Sequence, residues 1–118
     1  LPKDDEFAPV IPDHAAVDRT WYRTHGFMPI NHIVVVSQDA ARTKPDAVRA
    51  AYDLLKRAHA EAPVPADGLR PTMFGFERLR QPIQFTLDTC RRQLLLPRAL
   101  SVDELFADGA AILGNLGA

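Results

Sequence analysis

Residues 26–37, with the sequence GFMPINHIVVVS, decide the predicted fold of this 118-residue chain. Gly26 and Pro29 bracket a turn, and His32 precedes an unbroken run of four β-branched residues. A short apolar run bounded by polar residues predicts a strand over about residues 30–37. Because the run does not alternate with polar residues, we expect both of its faces to be covered, as in a parallel sheet under helices. The stretch therefore predicts an α/β fold.

Helical patterns lie on both sides of this strand. Asp13 is a suitable N-cap for a helix over about residues 14–24, and Gly26 is suited to ending that helix. Residues 38–44 are expected to be a polar connection. Pro45 is expected in the first turn of an amphipathic helix that ends near residue 62. The strand over residues 30–37 and the helix that begins at Pro45 then form the best-defined unit of the chain.

Two further helices are predicted in the second half. One begins near Gln81, with Pro82 in its first turn, and ends before Pro97. The other is opened by a capping box from Ser101 to Glu104 and runs through about residue 107. The chain then has three predicted parts: an extended lead-in over residues 1–13, a strand-and-helix core over 14–107 and a frayed tail over 108–118.

The composition restricts the class of function. The net charge is −1 and the pI is near 6.5, which gives no electrostatic basis for binding nucleic acid. No apolar run approaches the ~18 residues of a membrane span. The single cysteine, Cys90, and the absence of a signal-peptide pattern favour a cytoplasmic protein, with the periplasm as the alternative. No metal-binding spacing of His or Cys occurs, so we expect no metal to be bound by this chain.

Two residues are candidates for chemistry. His32 carries an imidazole that can give or take a proton near neutral pH, which suits general acid–base catalysis. The alternative is a histidine that is hydrogen-bonded at a strand end for structural reasons. Arg80 lies near a predicted helix start, where a guanidinium and helix amides together can bind an anion. The alternative there is a solvated surface arginine. Aromatic residues such as Trp21 and Phe74 are expected either to line a pocket for an aromatic ligand or to pack in the core.

Two separated blocks of the chain resemble the C-terminal part of the 4,5-dihydroxyphthalate decarboxylase family. The matching residues are Trp21-Tyr22-Arg23, Gly26, Pro29-Ile30, His32, Val34-Val35 and Lys44-Pro45 in the first block, and Phe74-Gly75-Phe76-Glu77, Arg80, Leu96-Pro97-Arg98 and Ser101 to Phe106 in the second. The resemblance implies a periplasmic-binding-protein type II fold, in which two α/β lobes surround a cleft. This chain would then be the helix-rich C-terminal portion of a larger two-lobe domain, with the remainder of that fold as its partner and a homo-oligomer left open.

The resemblance also implies an activity and a set of site residues. A decarboxylase of this family acts on a hydroxylated aromatic dicarboxylate such as 4,5-dihydroxyphthalate, and it needs no organic cofactor. His32 would donate the proton or orient its donor. Arg80 would bind the retained carboxylate and Phe74 would pack on the ring, with Gly75 and Asn31 beside the substrate. The alternative function is a non-catalytic solute-binding protein of a transporter for a small organic anion. A third possibility is a small helical domain with an interaction role.

Overall fold

A computed structural model describes residues 7–118, and the secondary structure of these residues is helical. The elements are α1 (His14–His25), α2 (Gln38–Thr43), α3 (Pro45–Glu61), α4 (Phe76–Arg92), α5 (Val102–Leu113) and a 3-10 turn at Gly114–Gly117. Residues 1–6 of the predicted lead-in lie outside the described residues. Helices α3, α4 and α5 pack together, with α5 in contact with both of the others.

The predicted α/β fold is wrong, and with it the two-lobe architecture that contained one or two strands. Residues 28–37 have no regular secondary structure, and no strand occurs anywhere between residues 7 and 118. The exposed fractions of Ile33, Val34 and Val35 are 66%, 80% and 77%, so the run is not covered. A β-branched run favours an extended backbone, but a strand exists only where a second strand accepts its hydrogen bonds. The described part of the chain supplies none.

The first helix agrees with the sequence prediction. Helix α1 ends at His25, and Gly26 follows in the left-handed conformation with φ of 77°. The Gly26 amide donates to the Tyr22 carbonyl at 2.7 Å, which closes the last turn. Asp13 stands at the N-cap position, although its side chain accepts no capping hydrogen bond.

Helix α2 lies where the sequence predicted a polar connection. Its N-cap is Ser37, whose hydroxyl accepts a hydrogen bond from the Ala40 amide at 3.2 Å. Lys44 ends α2 and immediately precedes Pro45, which occupies the first position of α3 as predicted. The missed sequence signal is therefore a serine N-cap, a local feature that needs only one side-chain hydrogen bond within the first turn.

Helix α4 begins at Phe76, five residues before the predicted start at Gln81. The prediction placed Pro82 in the first turn because proline lacks the amide that a helix interior needs. In the structure Pro82 is inside the helix and fully buried, and its carbonyl accepts a hydrogen bond from the Thr86 hydroxyl at 2.9 Å. Burial of the proline ring among neighbouring residues compensates for the missing amide.

The C-terminal region is anchored to α3. The capping box is confirmed, because the Ser101 hydroxyl accepts from the Glu104 amide at 3.1 Å. Helix α5 continues to Leu113, beyond the predicted end near residue 107, and the 3-10 turn follows. Two α3 side chains then bind main-chain oxygens of this region: Arg49 Nε donates to Ile112 at 2.7 Å, and Lys56 Nζ donates to Leu116 at 3.0 Å. Residues 108–118, expected to fray, thus have regular structure and long-range hydrogen bonds.

The loop between α3 and α4 runs back against α3. Arg70 donates to the carbonyls of His59 and Ala62 at 3.2 and 3.0 Å, which satisfies the last acceptors of α3. The Thr72 hydroxyl lies 3.1 Å from Nδ1 of His59. The loop therefore caps the C-terminal end of α3.

Few apolar side chains are buried. Among the described residues the buried hydrophobic side chains are Phe27, Leu87 and Val102. The accessible surface is 9397 Å², whereas a compact monomer of this mass has about 6,400 Å². The radius of gyration is 17.1 Å, compared with about 13.5 Å for a compact chain of this length. The helices therefore form an open arrangement around a small core.

The end of α4 contains a strained residue. Leu94 has φ of 58°, and the next amide, that of Leu95, donates to the Cys90 carbonyl at 2.9 Å. This hydrogen bond spans the last turn in the pattern that usually places glycine at the left-handed position. Leu94 is 89% exposed, so its side chain gains little from packing in return.

Replacing Leu94 by Gly is expected to raise the free energy of unfolding by about 1 kcal/mol, because a left-handed backbone costs a side-chain-bearing residue about 1–2 kcal/mol and glycine has its own entropic cost. The measurement is a urea unfolding curve of the variant and the wild type. Leu95→Gly is the matched control, since its φ is not positive. A gain in both variants, or in neither, would contradict the assignment of strain to Leu94.

The ring of Phe76 is closely packed against α5 and the 3-10 turn. It lies against Phe106, with centroids 4.9 Å apart, and a Cβ at Gly117 would lie 2.2 Å from a ring carbon. Gly117→Ala should therefore destabilise the protein by about 1–3 kcal/mol through overpacking. A Cβ at Gly109 would lie 3.4 Å from the same ring, so Gly109→Ala should be neutral or stabilising. The measurement is the thermal unfolding of both variants and the wild type. Equal losses in the two variants would show that the ring is not held as described.

Candidate functional site

An open cleft of about 660 Å³ lies between the end of α1, the exposed face of α4 and the start of α5. One wall is aromatic and is formed by His25, Phe27 and Phe85. The other wall is polar and contains Arg80 and Asp103. The cleft combines an aromatic surface with a permanently charged guanidinium, which are the groups that an aromatic carboxylate would require.

The aromatic wall is held by stacking between α1 and α4. The rings of Trp21 and His25 are stacked with centroids 4.0 Å apart, and Phe85 meets Trp21 edge-on at 5.2 Å. Phe27 packs edge-on against Phe85 at 5.9 Å and is only 3% exposed. These contacts fix the orientation of the His25 ring. The buried indole Nε1 of Trp21 has no hydrogen-bond partner among residues 7–118.

Arg80 is already paired in the structure. Its Nη1 donates to Asp103 Oδ1 at 2.7 Å, and its Nη2 donates to Glu77 Oε1 at 3.4 Å. These hydrogen bonds, above all the one that Arg80 donates to Asp103, raise the pKa of the Arg80 guanidinium above its ordinary value. The side chain of Arg80 remains 43% exposed, so an anion in the cleft can still reach it.

Carboxylates outnumber the guanidinium in the cleft. Glu77, Asp88 and Asp103 all line it together with Arg80. Asp88 does not contact Arg80 and instead accepts a hydrogen bond from Gln84 Nε2 at 3.0 Å. An anionic ligand therefore depends on direct contact with Arg80, because the surrounding charge does not favour it.

The predicted proton donor lies outside this cleft. His32 and Asn31 are exposed residues of the irregular segment 28–37, and neither lines the cleft. In the described part of the chain, His32 makes no hydrogen bond, so its ring is not restrained by one. The imidazole that does line the cleft belongs to His25.

Phe74 and Gly75 also lie away from the cleft. The Phe74 ring packs against Tyr52 and His59 of α3, with centroids 5.7 and 5.2 Å apart. Gly75 is buried at the N-cap position of α4 with φ of 99°, and a Cβ there would lie 3.4 Å from the Ala118 carbonyl oxygen. The structure thus brings Arg80 together with an aromatic wall, and it does not bring Arg80 together with Asn31, His32, Phe74 or Gly75.

Most of the residues that line the cleft were not predicted as site residues, and among them are His25, Phe85 and Asp103. His25 lies four residues after Trp21, which places both on one helix face. Phe85 lies within α4, where no motif of the sequence marks it. Asp103 was recognised only as part of a capping box. No local pattern indicates that Asp103 reaches Arg80, because the two are 23 residues apart in the chain.

Between residues 7 and 118, no three His, Cys, Asp or Glu side chains are grouped so that they could hold a metal ion. In the same range, no helix combines the length and the apolar character needed to cross a membrane. Comparisons of the chain with family models, with curated proteins and with solved structures give no match. The decarboxylase resemblance therefore stays a prediction.

A second ion pair lies at the start of α5. Both guanidinium Nη atoms of Arg98 donate to the Glu104 carboxylate, one of them at 3.1 Å to Oε2. This hydrogen bonding lowers the pKa of Glu104 below its ordinary value of 4.5. Because the folded pKa is the lower one, the stabilisation is complete above pH 4.5 and is lost as the pH falls through the folded pKa.

The expected result is a steeper acid-induced loss of stability in the wild type than in Glu104→Gln. The measurement is the midpoint of thermal unfolding at several values between about pH 6 and pH 3. Arg98→Gln removes the partner and should reduce the same acid-dependent difference. Parallel pH profiles for wild type and both variants would rule out a contribution from this pair.

Proposed function

We propose that this protein is decarboxylase-like and acts on a hydroxylated aromatic dicarboxylate such as 4,5-dihydroxyphthalate. The observation that supports the proposal is the cleft in which the Arg80 guanidinium faces an aromatic wall. Its volume of about 660 Å³ lies in the range of small-molecule sites, about 300–1,000 Å³. The resemblance of the two sequence blocks supplies the reaction class. A cytoplasmic location, expected from the sequence, belongs to the same proposal.

Substrate binding would divide between the two walls. The guanidinium of Arg80 presents a planar fork of donors that matches a carboxylate, so it would bind the carboxylate that the substrate retains. The substrate ring would lie against His25 and Phe85, where offset or edge-on contacts between rings are favourable. The second carboxylate, on the adjacent ring carbon of the phthalate, would then lie beside the one bound by Arg80.

The reaction itself requires one proton and no oxidant. A proton is added to the ring carbon that bears the leaving carboxylate, and a ring hydroxyl para to it supplies electron density. The bond between the ring and the carboxylate carbon then breaks, carbon dioxide leaves, and the bonding electrons restore the aromatic ring. The protein must therefore position an acid near that carbon.

His32 is the predicted acid, and His25 is its competitor. The His32 ring is exposed and makes no hydrogen bond to the described residues, so it is free to act at a bound substrate if segment 28–37 approaches the cleft. His25 already lines the cleft, but its ring is stacked on Trp21, an arrangement suited to packing against the substrate. We assign proton donation to His32 and ring contact to His25.

A non-catalytic solute-binding protein is the second candidate. One observation favours it: the cleft contains the groups for binding an aromatic carboxylate, while the predicted acid lies outside the cleft. Binding without turnover would need only Arg80 and the aromatic wall. The experiment below separates the two functions.

The test is carbon dioxide release from 4,5-dihydroxyphthalate by the full-length protein. His32→Ala should lower kcat by about 10²–10⁴, as expected for loss of a general acid. His25→Ala is the matched control and should raise KM more than it lowers kcat. Binding of the compound without release of carbon dioxide would identify the solute-binding function. Turnover that is unchanged in His32→Ala would remove His32 from the mechanism.

A further inference from the structure

We propose that Asp103 sets the affinity of the cleft for carboxylates by competing with the ligand for the Arg80 guanidinium. This inference rests on the proposed function, because it takes Arg80 as the group that binds the retained carboxylate. Asp103 would then be a positioning residue that holds Arg80 when the cleft is empty and releases it when an anion binds.

The geometry identifies Asp103 as the main competitor. The distance from Arg80 Nη1 to Asp103 Oδ1 is 2.7 Å, whereas Glu77 lies at 3.4 Å and its contact is weaker. Asp103 is also the only one of these two acids that comes from a different helix, so its contact joins α4 to α5 across the cleft. A ligand carboxylate that binds the fork formed by Nη1 and Nη2 of Arg80 competes with Asp103 for Nη1.

Breaking the contact between Asp103 and Arg80 costs little free energy, for two reasons. Its side chain is 80% exposed, so the freed carboxylate is hydrated by solvent. Asp103 also lies in the first turn of α5, where the helix dipole favours a negative charge whether or not Arg80 is bound. The Ser101 cap is independent of this contact, since its hydroxyl accepts from the amide of Glu104. The exchange therefore leaves the helix start intact.

The size of the effect follows from the exposure of the pair. Exposed ion pairs have small interaction free energies, whose usual range corresponds to about a two- to fivefold change in a binding constant. Removing the Asp103 charge should thus tighten carboxylate binding by about that factor. Because solvent-exposed charges are screened by salt, the gain should shrink at high ionic strength.

The test compares two variants that each remove one carboxylate from the same cleft. Phthalate is the probe, since it carries both carboxylates but lacks the ring hydroxyls that the reaction needs. Asp103→Asn in the full-length protein should bind phthalate about two- to fivefold more tightly than wild type in calorimetric titrations. Asp88→Asn, which removes a charge that does not contact Arg80, should give a smaller gain. Asp103→Ser should repeat the Asp103→Asn result, and thermal unfolding confirms that each variant is folded.

Equal affinities for Asp103→Asn and Asp88→Asn would overturn the inference, because the effect would then be one of overall charge. Absence of phthalate binding by Asp103→Asn and Asp103→Ser would overturn it as well. The proposed function fails independently: if the phthalate result is as expected but 4,5-dihydroxyphthalate releases no carbon dioxide, the competition at Arg80 stands and the reaction does not.

Discussion

Long basic side chains that bind main-chain carbonyls hold this structure together. Arg49 and Lys56 reach from α3 to the carbonyls at the end of α5 and in the 3-10 turn, and Arg70 returns to the end of α3 itself. Each is a charge-assisted hydrogen bond at a helix C-terminus, where the dipole is negative and acceptors are unsatisfied. Because few apolar side chains are buried, the contacts of Arg49 and Lys56 are important in joining α3 to the C-terminal region. The cleft depends on them in turn, since α5 carries Asp103.

The sequence predicted those elements whose rules act within one or two turns. Helix α1 with Gly26, the start of α3 at Pro45 and the Ser101 cap follow from local backbone chemistry, and all three are confirmed. The predicted strand over 30–37 was wrong because strand pairing requires two segments, and the apolar run describes only one of them. The start of α4 was wrong because the surroundings of Pro82 override its local preference against a helix interior.

The candidate site was predictable only in part, for the same reason. Arg80 could be found from its position near a helix start, and it does line the cleft. Its pairing with Asp103 depends on how α4 and α5 pack, which no spacing in the sequence encodes. Phe74 was chosen for its neighbours in sequence, yet its ring faces α3. The roles of His32 and Asn31 stay predictions, because both are exposed on a segment without regular secondary structure and neither lines the cleft.

The uncovered run from Ile33 to Val36 has a consequence for how the protein behaves in solution. Its side chains are 48–80% exposed and are all β-branched, and its backbone offers amides and carbonyls that are not engaged in a sheet. Short uncharged segments of this composition are templates for intermolecular strand pairing. Copies of the chain whose run stays uncovered are therefore expected to associate as the protein concentration rises. Backbone hydrogen bonds would then form between molecules, at positions where none form within one molecule. Colloidal stability, more than unfolding, would then limit the concentrations at which the chain can be handled.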